Sequence, residues 1–168
     1  MPGLPDGSPE RTAPDGLLER LLDLPRPDRL VADATSQSGS TTTFSHIELD
    51  RSHEFWTLSD ADSRRLIASY SGGVYRSPDS ARATTLTGSL PSIALKMLFI
   101  EHLPLWGRSW DDWRPLAVDD HEPDALLITI EHRNDRELRG TVTIDRSLGI
   151  ARSLVRPSGV TRIEAREW

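Results

Sequence analysis

The sequence predicts an α+β fold in which a single antiparallel sheet curls into an incomplete barrel around a buried helix. Segments with strand-like alternation recur at a spacing of about eight to twelve residues and are joined by short polar turns, as in antiparallel meanders. One apolar segment of helical character, residues 92–103, interrupts that series. A shorter amphipathic segment near the N-terminus predicts a second helix.

The first 28 residues predict a tail followed by that N-terminal helix. Residues 1–14 are rich in proline, glycine and polar side chains, so we expect a flexible tail there and one domain over 15–168. In DGLLERLLDLP, Asp15 suits the N-cap, and Pro25 and Pro27 stop the helix. One apolar stripe is formed by Leu17, Leu18, Leu21 and Leu22.

The next half of the chain predicts a first meander. Residues that are β-branched or alternate between apolar and polar give the strands RLVADATSQ, TTTFSHIELD, EFWTLSD, RRLIASYS and VYRS. The polar sequences DRSH and DADS are predicted turns, and Gly72-Gly73 suits the tight turn before VYRS.

The segment SLPSIALKMLFIEHLP lacks the alternation of the predicted strands and predicts the buried helix. Ser89 or Ser92 suits its N-cap, and Pro104 lies just past its end. Apolar side chains occupy nearly every direction around this helix, and a helix of that kind is buried. We therefore expect it inside the curled sheet.

A second meander is predicted from DALLITIEHR, LRGTVTID, IARSLVR and VTRIEAREW, with NDRE, DRSLG and PSG as turns. The sequence contains no internal repeat and no sign of a boundary between domains. All predicted strands therefore belong to one continuous antiparallel sheet.

Composition excludes several classes of function. A net charge of −6 disfavours nucleic acid and acidic membrane surfaces as partners, because both require a basic face. The absence of cysteine excludes disulfides, thiolate metal sites and cysteine nucleophiles. No apolar run approaches the roughly 20 residues of a membrane helix, so no integral membrane segment is expected. Without signal-peptide features the expected location is cytoplasmic, and an envelope location requires an N-terminus longer than this one.

Four stretches resemble the lipoprotein-carrier (LolA-like) family. EFWTLSD matches a strand that carries an aromatic residue, and RLIASYSGGVYRSPDS is similar to the strand, glycine turn and following stretch of that family. The apolar helix ending in LPLW resembles the internal plug, and TVTIDRSLGIARSLVRPSGVTRIEAREW resembles the terminal strands. The resemblance covers about residues 15–168.

The resemblance implies a half-barrel with an N-terminal helix, helices inserted between the two meanders, and a lipid or acyl chain as ligand. Members of the family are exported, whereas this sequence has neither a signal peptide nor a lipobox cysteine. That departure weighs against lipoprotein transport and leaves an apolar-ligand cavity open.

The stretch EHLPLWGRSWDDWRP gathers three of the five tryptophans with acids and a histidine. Ser109 and Asp112 suit a capping box for a short helical turn, and Asp111 suits the first turn of that helix. His102 suits the C-terminal end of the buried helix. Closure of the core is therefore the favoured role of the tryptophans, and the rim of a ligand cavity is the alternative.

Other polar clusters give little support to a metal site. DDHEPD and SDADS carry oxygen donors but lack the ordered spacing and the glycine of a calcium loop. The five histidines form no metal-binding pattern, so we expect neither a metal nor another cofactor.

The sequence favours non-enzymatic binding of an apolar or amphipathic ligand, a lipid or acyl chain, between the sheet and the helical plug. A protein-interaction or regulatory module without a small-molecule ligand is the alternative. The least favoured alternative is a small hydrolase or isomerase that uses His102 with Asp111 or Asp112 as acid and base. The expected ligand-lining residues are Leu95, Phe99, Leu103, Trp106, Trp110 and Trp113.

Overall fold

The computed structural model describes residues 15–168, so the predicted tail at 1–14 lies outside the described residues. In this range eleven strands form one sheet, accompanied by two short helices and a 3₁₀ turn. The strands are β1 (Arg29–Ser38), β2 (Thr41–Asp50), β3 (Phe55–Asp60), β4 (Leu66–Ser71), β5 (Val74–Ser77), β6 (Ser80–Ala83), β7 (Trp113–Asp119), β8 (Ala125–His132), β9 (Asp135–Asp145), β10 (Ile150–Arg156) and β11 (Gly159–Glu167). The helices are α1 (Leu17–Leu22) and α2 (Ile93–Leu98), and the 3₁₀ turn is Ile100–His102.

Two meanders meet in the middle of the sheet. The strand order is β6-β5-β4-β3-β2-β1-β11-β10-β9-β8-β7, and every neighbouring pair is antiparallel. β1 and β11 join the two meanders, whereas β6 and β7 are the two open edges. The predicted antiparallel sheet is therefore confirmed.

The predicted α+β class, a sheet curled into an incomplete barrel around a buried helix with an N-terminal helix, is wrong. The fold is mostly β: eleven strands form an open sheet, and the two α-helices have only six residues each. The apolar run 92–103 does not form one long helix, because the backbone leaves the helical region at Phe99 (φ −124°, ψ 72°). It continues as a 3₁₀ turn and becomes extended at Leu103.

Strand alternation gives the sheet one apolar face, which we call the inner face. On β1 the buried side chains Leu30, Ala32 and Ala34 alternate with the more exposed Val31 and Asp33. The other central strands bury alternate residues in the same way, and α2 packs on β1, β10 and β11. Ser92, one of the two predicted N-cap residues, caps α2 by accepting a hydrogen bond from the Leu95 N–H.

Trp56 on β3 fixes the start of the segment that connects the two meanders. Its Nε1–H donates to the carbonyl oxygen of Leu86 at 2.9 Å, and its ring stacks on Tyr70 at a centroid distance of 6.4 Å. The connecting segment therefore enters the inner face directly beside the aromatic cluster of the first meander. Within residues 15–168, none of the helices has the length and apolar character needed to cross a membrane.

Candidate functional site

The tryptophan-rich stretch forms a tight loop that is closed by Arg108. The guanidinium of Arg108 donates to both carboxylate oxygens of Asp111, at 2.9 and 3.0 Å, and to the carbonyl oxygens of Glu101 and Leu103. Asp111 is only 1% exposed and also accepts hydrogen bonds from the backbone N–H groups of Trp106 and Arg108. Asp111 is therefore a structural residue that organises the loop from inside.

A second arginine holds the outer side of the same loop. The guanidinium of Arg133, from the turn between β8 and β9, donates to the carbonyl oxygens of Gly107, Arg108 and Ser109. The Arg133 backbone N–H donates to the carbonyl oxygen of Asp112 at 2.7 Å. Two arginines thus satisfy the carbonyl groups of a segment that has no regular secondary structure.

This geometry corrects the prediction of a capping box. No helix begins at Ser109, and Asp111, not Asp112, caps backbone N–H groups. Both oxygens of Asp111 are occupied by Arg108, and no hydrogen bond or ion pair joins His102 to Asp111 or Asp112 within residues 15–168. The acid–base arrangement required by the hydrolase alternative is not assembled in this structure.

Four of the six predicted ligand-lining residues, Leu95, Phe99, Leu103 and Trp113, lie in the packed core. Leu95 and Leu103 are fully buried, and Phe99 is nearly so. The guanidinium of Arg51 lies 4.7 Å from the centroid of the Phe99 ring and donates to the carbonyl oxygen of Leu98 at 2.8 Å. Burial of this side chain, with a further contribution from the like charge of Arg26, lowers the pKa of Arg51 to about 10.

The three predicted tryptophans are placed in three different environments. Trp113 is the first residue of edge strand β7 and is buried edge-on against His132. Trp110 is 73% exposed at the tip of the loop, where the guanidinium of Arg108 lies 5.4 Å from its ring centroid. Trp106 is partly buried, and its Nε1–H donates to the carbonyl oxygen of Ile100 at 2.7 Å. The structure does not bring the six predicted residues together into one pocket.

Trp106 lines a cavity of about 420 Å³ on one side of α1. Its apolar lining consists of Leu17, Leu18, Leu22, Trp106 and Pro115, and its charged lining of Asp15 and Glu19. A second cavity, of about 330 Å³, lies on the other side of the helix. Its apolar lining consists of Leu17, Leu21, Leu24, Val118 and Leu126, and its charged lining of Arg20, Asp120 and Arg146. We call the two cavities together the α1 crevice.

α1 covers the sheet through apolar contacts alone. Leu17 and Leu21 are buried in the core, and Leu24 packs against it. The backbone hydrogen bonds of this segment are local, from Arg20 N to Gly16 O and from Leu24 N to Leu21 O. Among the described residues, no side-chain hydrogen bond or ion pair ties α1 to another element. Displacing α1 therefore costs mainly the burial of a few leucine side chains.

The outer face carries a separate polar network at the centre of the sheet. His46 on β2 lies 2.8 Å from Asp33 on β1, and the Arg166 Nε–H on β11 donates to the same carboxylate at 3.0 Å. The hydrogen bond with His46, together with the smaller effect of Arg166, lowers the pKa of Asp33, although burial acts in the opposite direction. A cavity of about 540 Å³ adjoins this network, and in its lining Arg166 forms ion pairs with Asp33 and Glu164.

The two acidic stretches are local structures in this fold. Asp60 in SDADS accepts hydrogen bonds from the Ser63 backbone N–H and hydroxyl, which lowers the pKa of Asp60. In DDHEPD, Asp119 contacts His121 within its own turn. Residues 15–168 contain no group of three or more metal-ligating side chains that could hold an ion.

Comparison with known proteins gives no assignment: no protein-family model and no curated protein matches this sequence.

Proposed function

We propose that the protein binds a single-chain amphipathic ligand, such as a fatty acid, in the α1 crevice, and that α1 is a displaceable cover. The observation that carries this proposal is the pair of leucine-lined cavities on either side of a helix that is held only by apolar contacts. Pockets lined by apolar side chains with a few polar groups are the usual form of a small-molecule site.

The dimensions of the crevice suit part of an acyl chain. Cavities of about 330 and 420 Å³ fall within the usual range for ligand pockets. Arg20 and Arg146 line the cavity of about 330 Å³ and supply positive charge for an anionic headgroup, with Asp120 beside them. The resemblance to the lipoprotein-carrier family also implies a lipid or acyl ligand.

Outward movement of α1 would expose apolar surface that the ligand then covers. Burial of apolar surface contributes about 25 cal/mol per Å², so a chain that replaces the contacts of Leu17 and Leu21 offsets the cost of moving the helix. Binding and helix displacement are thereby coupled.

Substitution at Leu22 tests the crevice. Leu22 is 41% exposed at the cavity that contains Trp106, so Leu22→Glu places a carboxylate beside the ligand without burying it in the core. We expect the dissociation constant for dodecanoate, measured by tryptophan fluorescence and checked by thermal shift, to rise about tenfold or more.

The matched control is Leu127→Glu on β8. Leu127 is also 41% exposed, but it does not line the α1 crevice. This variant should bind dodecanoate like the parent protein. If the parent protein responds to neither dodecanoate nor dodecyl maltoside, or if both variants lose affinity equally, the proposed site is wrong.

Trp110 supports a second candidate function, docking of a protein partner. A large aromatic side chain that is 73% exposed on a loop fixed by two arginines is a typical hot-spot residue, because little side-chain freedom remains to be lost on binding. In this case Trp110→Ala should abolish co-purification of a stable partner, whereas Trp168→Ala, at a residue 69% exposed, should preserve it. Equal recovery with both variants would exclude Trp110 as the anchor.

A further inference from the structure

A small polar cavity lies at the end of the inner face that is formed by the β1–β2 and β10–β11 turns. Its volume is about 200 Å³. Six polar side chains in its lining matter for its chemistry: Ser36, Ser38, Thr41, Thr43, Arg156 and Thr161. The inner face thus changes from apolar residues in the middle of these strands to hydroxyl groups and one guanidinium at their ends.

Arg156 lies two residues after the buried Leu154 on β10, so both side chains are on the inner face, and Arg156 lines this cavity. Its Nε is buried and has no hydrogen-bond partner, and no ion pair of its side chain is present within residues 15–168. Burial lowers the pKa of Arg156, and Asp112 is the acid whose charge opposes that effect. A guanidinium is charged at neutral pH, and a buried N–H donor without an acceptor is destabilising. A bound anion would supply the missing acceptor.

The surrounding hydroxyl groups come from three strands. The hydroxyl oxygens of Ser36 on β1 and Thr161 on β11 lie 3.1 Å apart. The Thr43 hydroxyl on β2 lies 3.5 Å from the Ser36 carbonyl oxygen, and the Ser38 hydroxyl donates to the Ser158 carbonyl oxygen at 3.1 Å. Hydroxyl groups rotate and both donate and accept, so this set can redirect donors toward a bound group.

We propose that this cavity binds a phosphate-type oxyanion through Arg156 and the hydroxyl groups of Ser36, Thr43 and Thr161. A volume of about 200 Å³ corresponds to the liquid volume of roughly seven water molecules and lies below the usual range for drug-sized ligands. Donors converging from several strands suit a tetrahedral anion better than a planar carboxylate. The anion is either free phosphate or the phosphate headgroup of an amphiphile.

Titration of the intact protein with inorganic phosphate by calorimetry, at pH 7.5 and constant ionic strength, tests the site. We expect low-millimolar binding that Arg156→Gln weakens about tenfold or more, through loss of charge-assisted hydrogen bonds. Arg156→Lys keeps the charge and should retain part of the affinity. Asp112→Asn should bind phosphate more tightly, because it removes the opposing carboxylate.

Arg152→Gln is the matched control, because Arg152 lies on the same strand and does not line this cavity. It should leave phosphate binding unchanged. Dihexanoyl phosphatidic acid, used as a soluble monomer, separates the two sources: equal affinity indicates free phosphate, and affinity about tenfold tighter indicates a headgroup.

Absence of phosphate binding to the parent protein would overturn the proposal, as would equal losses in Arg156→Gln and Arg152→Gln. The outcome is independent of the α1 crevice, which lies among other strands of the sheet. Leu22→Glu should therefore bind phosphate like the parent protein even if it no longer binds dodecanoate.

Discussion

At the scale of single residues, Asp111 shows how a side chain that looks catalytic in the sequence is used structurally. Its carboxylate accepts four hydrogen bonds. Two come from backbone N–H groups, and two come from the guanidinium of Arg108. A carboxylate that is 1% exposed must be paired in this way, because an unpaired buried charge is strongly destabilising. Asp111 has no accessible oxygen left for a substrate.

Asp111→Asn should therefore destabilise the protein. The amide keeps the shape of the side chain but removes the charge that compensates Arg108 and replaces one acceptor with a donor facing N–H groups. We expect the free energy of unfolding in urea to fall by about 2–4 kcal/mol.

Asp112→Asn is the neighbouring control, because Asp112 is exposed and contributes to the loop through its backbone carbonyl group. Its effect should stay within about 0.5 kcal/mol. Similar losses in the two variants would show that Asp111 does not organise the loop.

Only part of this residue-level detail is predictable from the sequence. The sequence predicts a capping box formed by Ser109 and Asp112, which requires a helix beginning at Ser109, whereas the structure has no helix there and Asp111 accepts the backbone N–H groups. The positions of Arg108 and Arg133 could not be predicted, since their carbonyl partners are set by the tertiary path of the loop. The inward orientation of Arg156 is predictable from the sequence, because Arg156 is two residues after Leu154 and therefore lies on the same face of the strand.

At the scale of elements, α1 differs from the strands in how it is held. Its six residues are anchored by Leu17 and Leu21, whereas each central strand is hydrogen-bonded on both sides. Segments with few buried contacts open locally with much smaller free energies than the core of a sheet.

Hydrogen exchange measured by mass spectrometry should report this difference. The amides of α1 should exchange at least about a hundredfold faster than those in the middle of β10 and β11. Saturating dodecanoate should slow exchange in α1 without altering exchange in β11. Equal protection of α1 and β11 in the free protein would mean that α1 is not a displaceable cover.

Element boundaries were predictable where alternation and turn residues agreed. The predicted segments TTTFSHIELD, VYRS and IARSLVR coincide with β2, β5 and β10. β6 was not predicted, because its sequence SARA does not alternate between apolar and polar residues. It is a strand because it pairs with β5. β7 was missed because Pro115 is unfavourable in a central strand, although an edge strand with a bulge tolerates it.

At the scale of the whole molecule, the antiparallel sheet was predictable and the fold class was not. Period-two alternation and turn chemistry are local properties, and they led to the meanders correctly. How much of the apolar run 92–103 becomes helical depends on packing against β1, β10 and β11, which the sequence does not display. The same limit applies to the ligand-lining residues, because Leu95 and Leu103 are apolar whether they line a cavity or fill a core.

The placement of β1 beside β11 also determines the order in which the sheet can assemble. Positions 34 and 163 pair directly, although about three-quarters of the chain separates them. During synthesis β1 can pair with β2 at once, while its other side stays without a neighbour until β11 emerges from the ribosome. Pairing between such distant segments forms slowly, because the intervening chain must lose conformational entropy before the stabilising contacts form. The nascent first meander therefore exposes a long unpaired strand edge at what becomes the middle of the finished sheet.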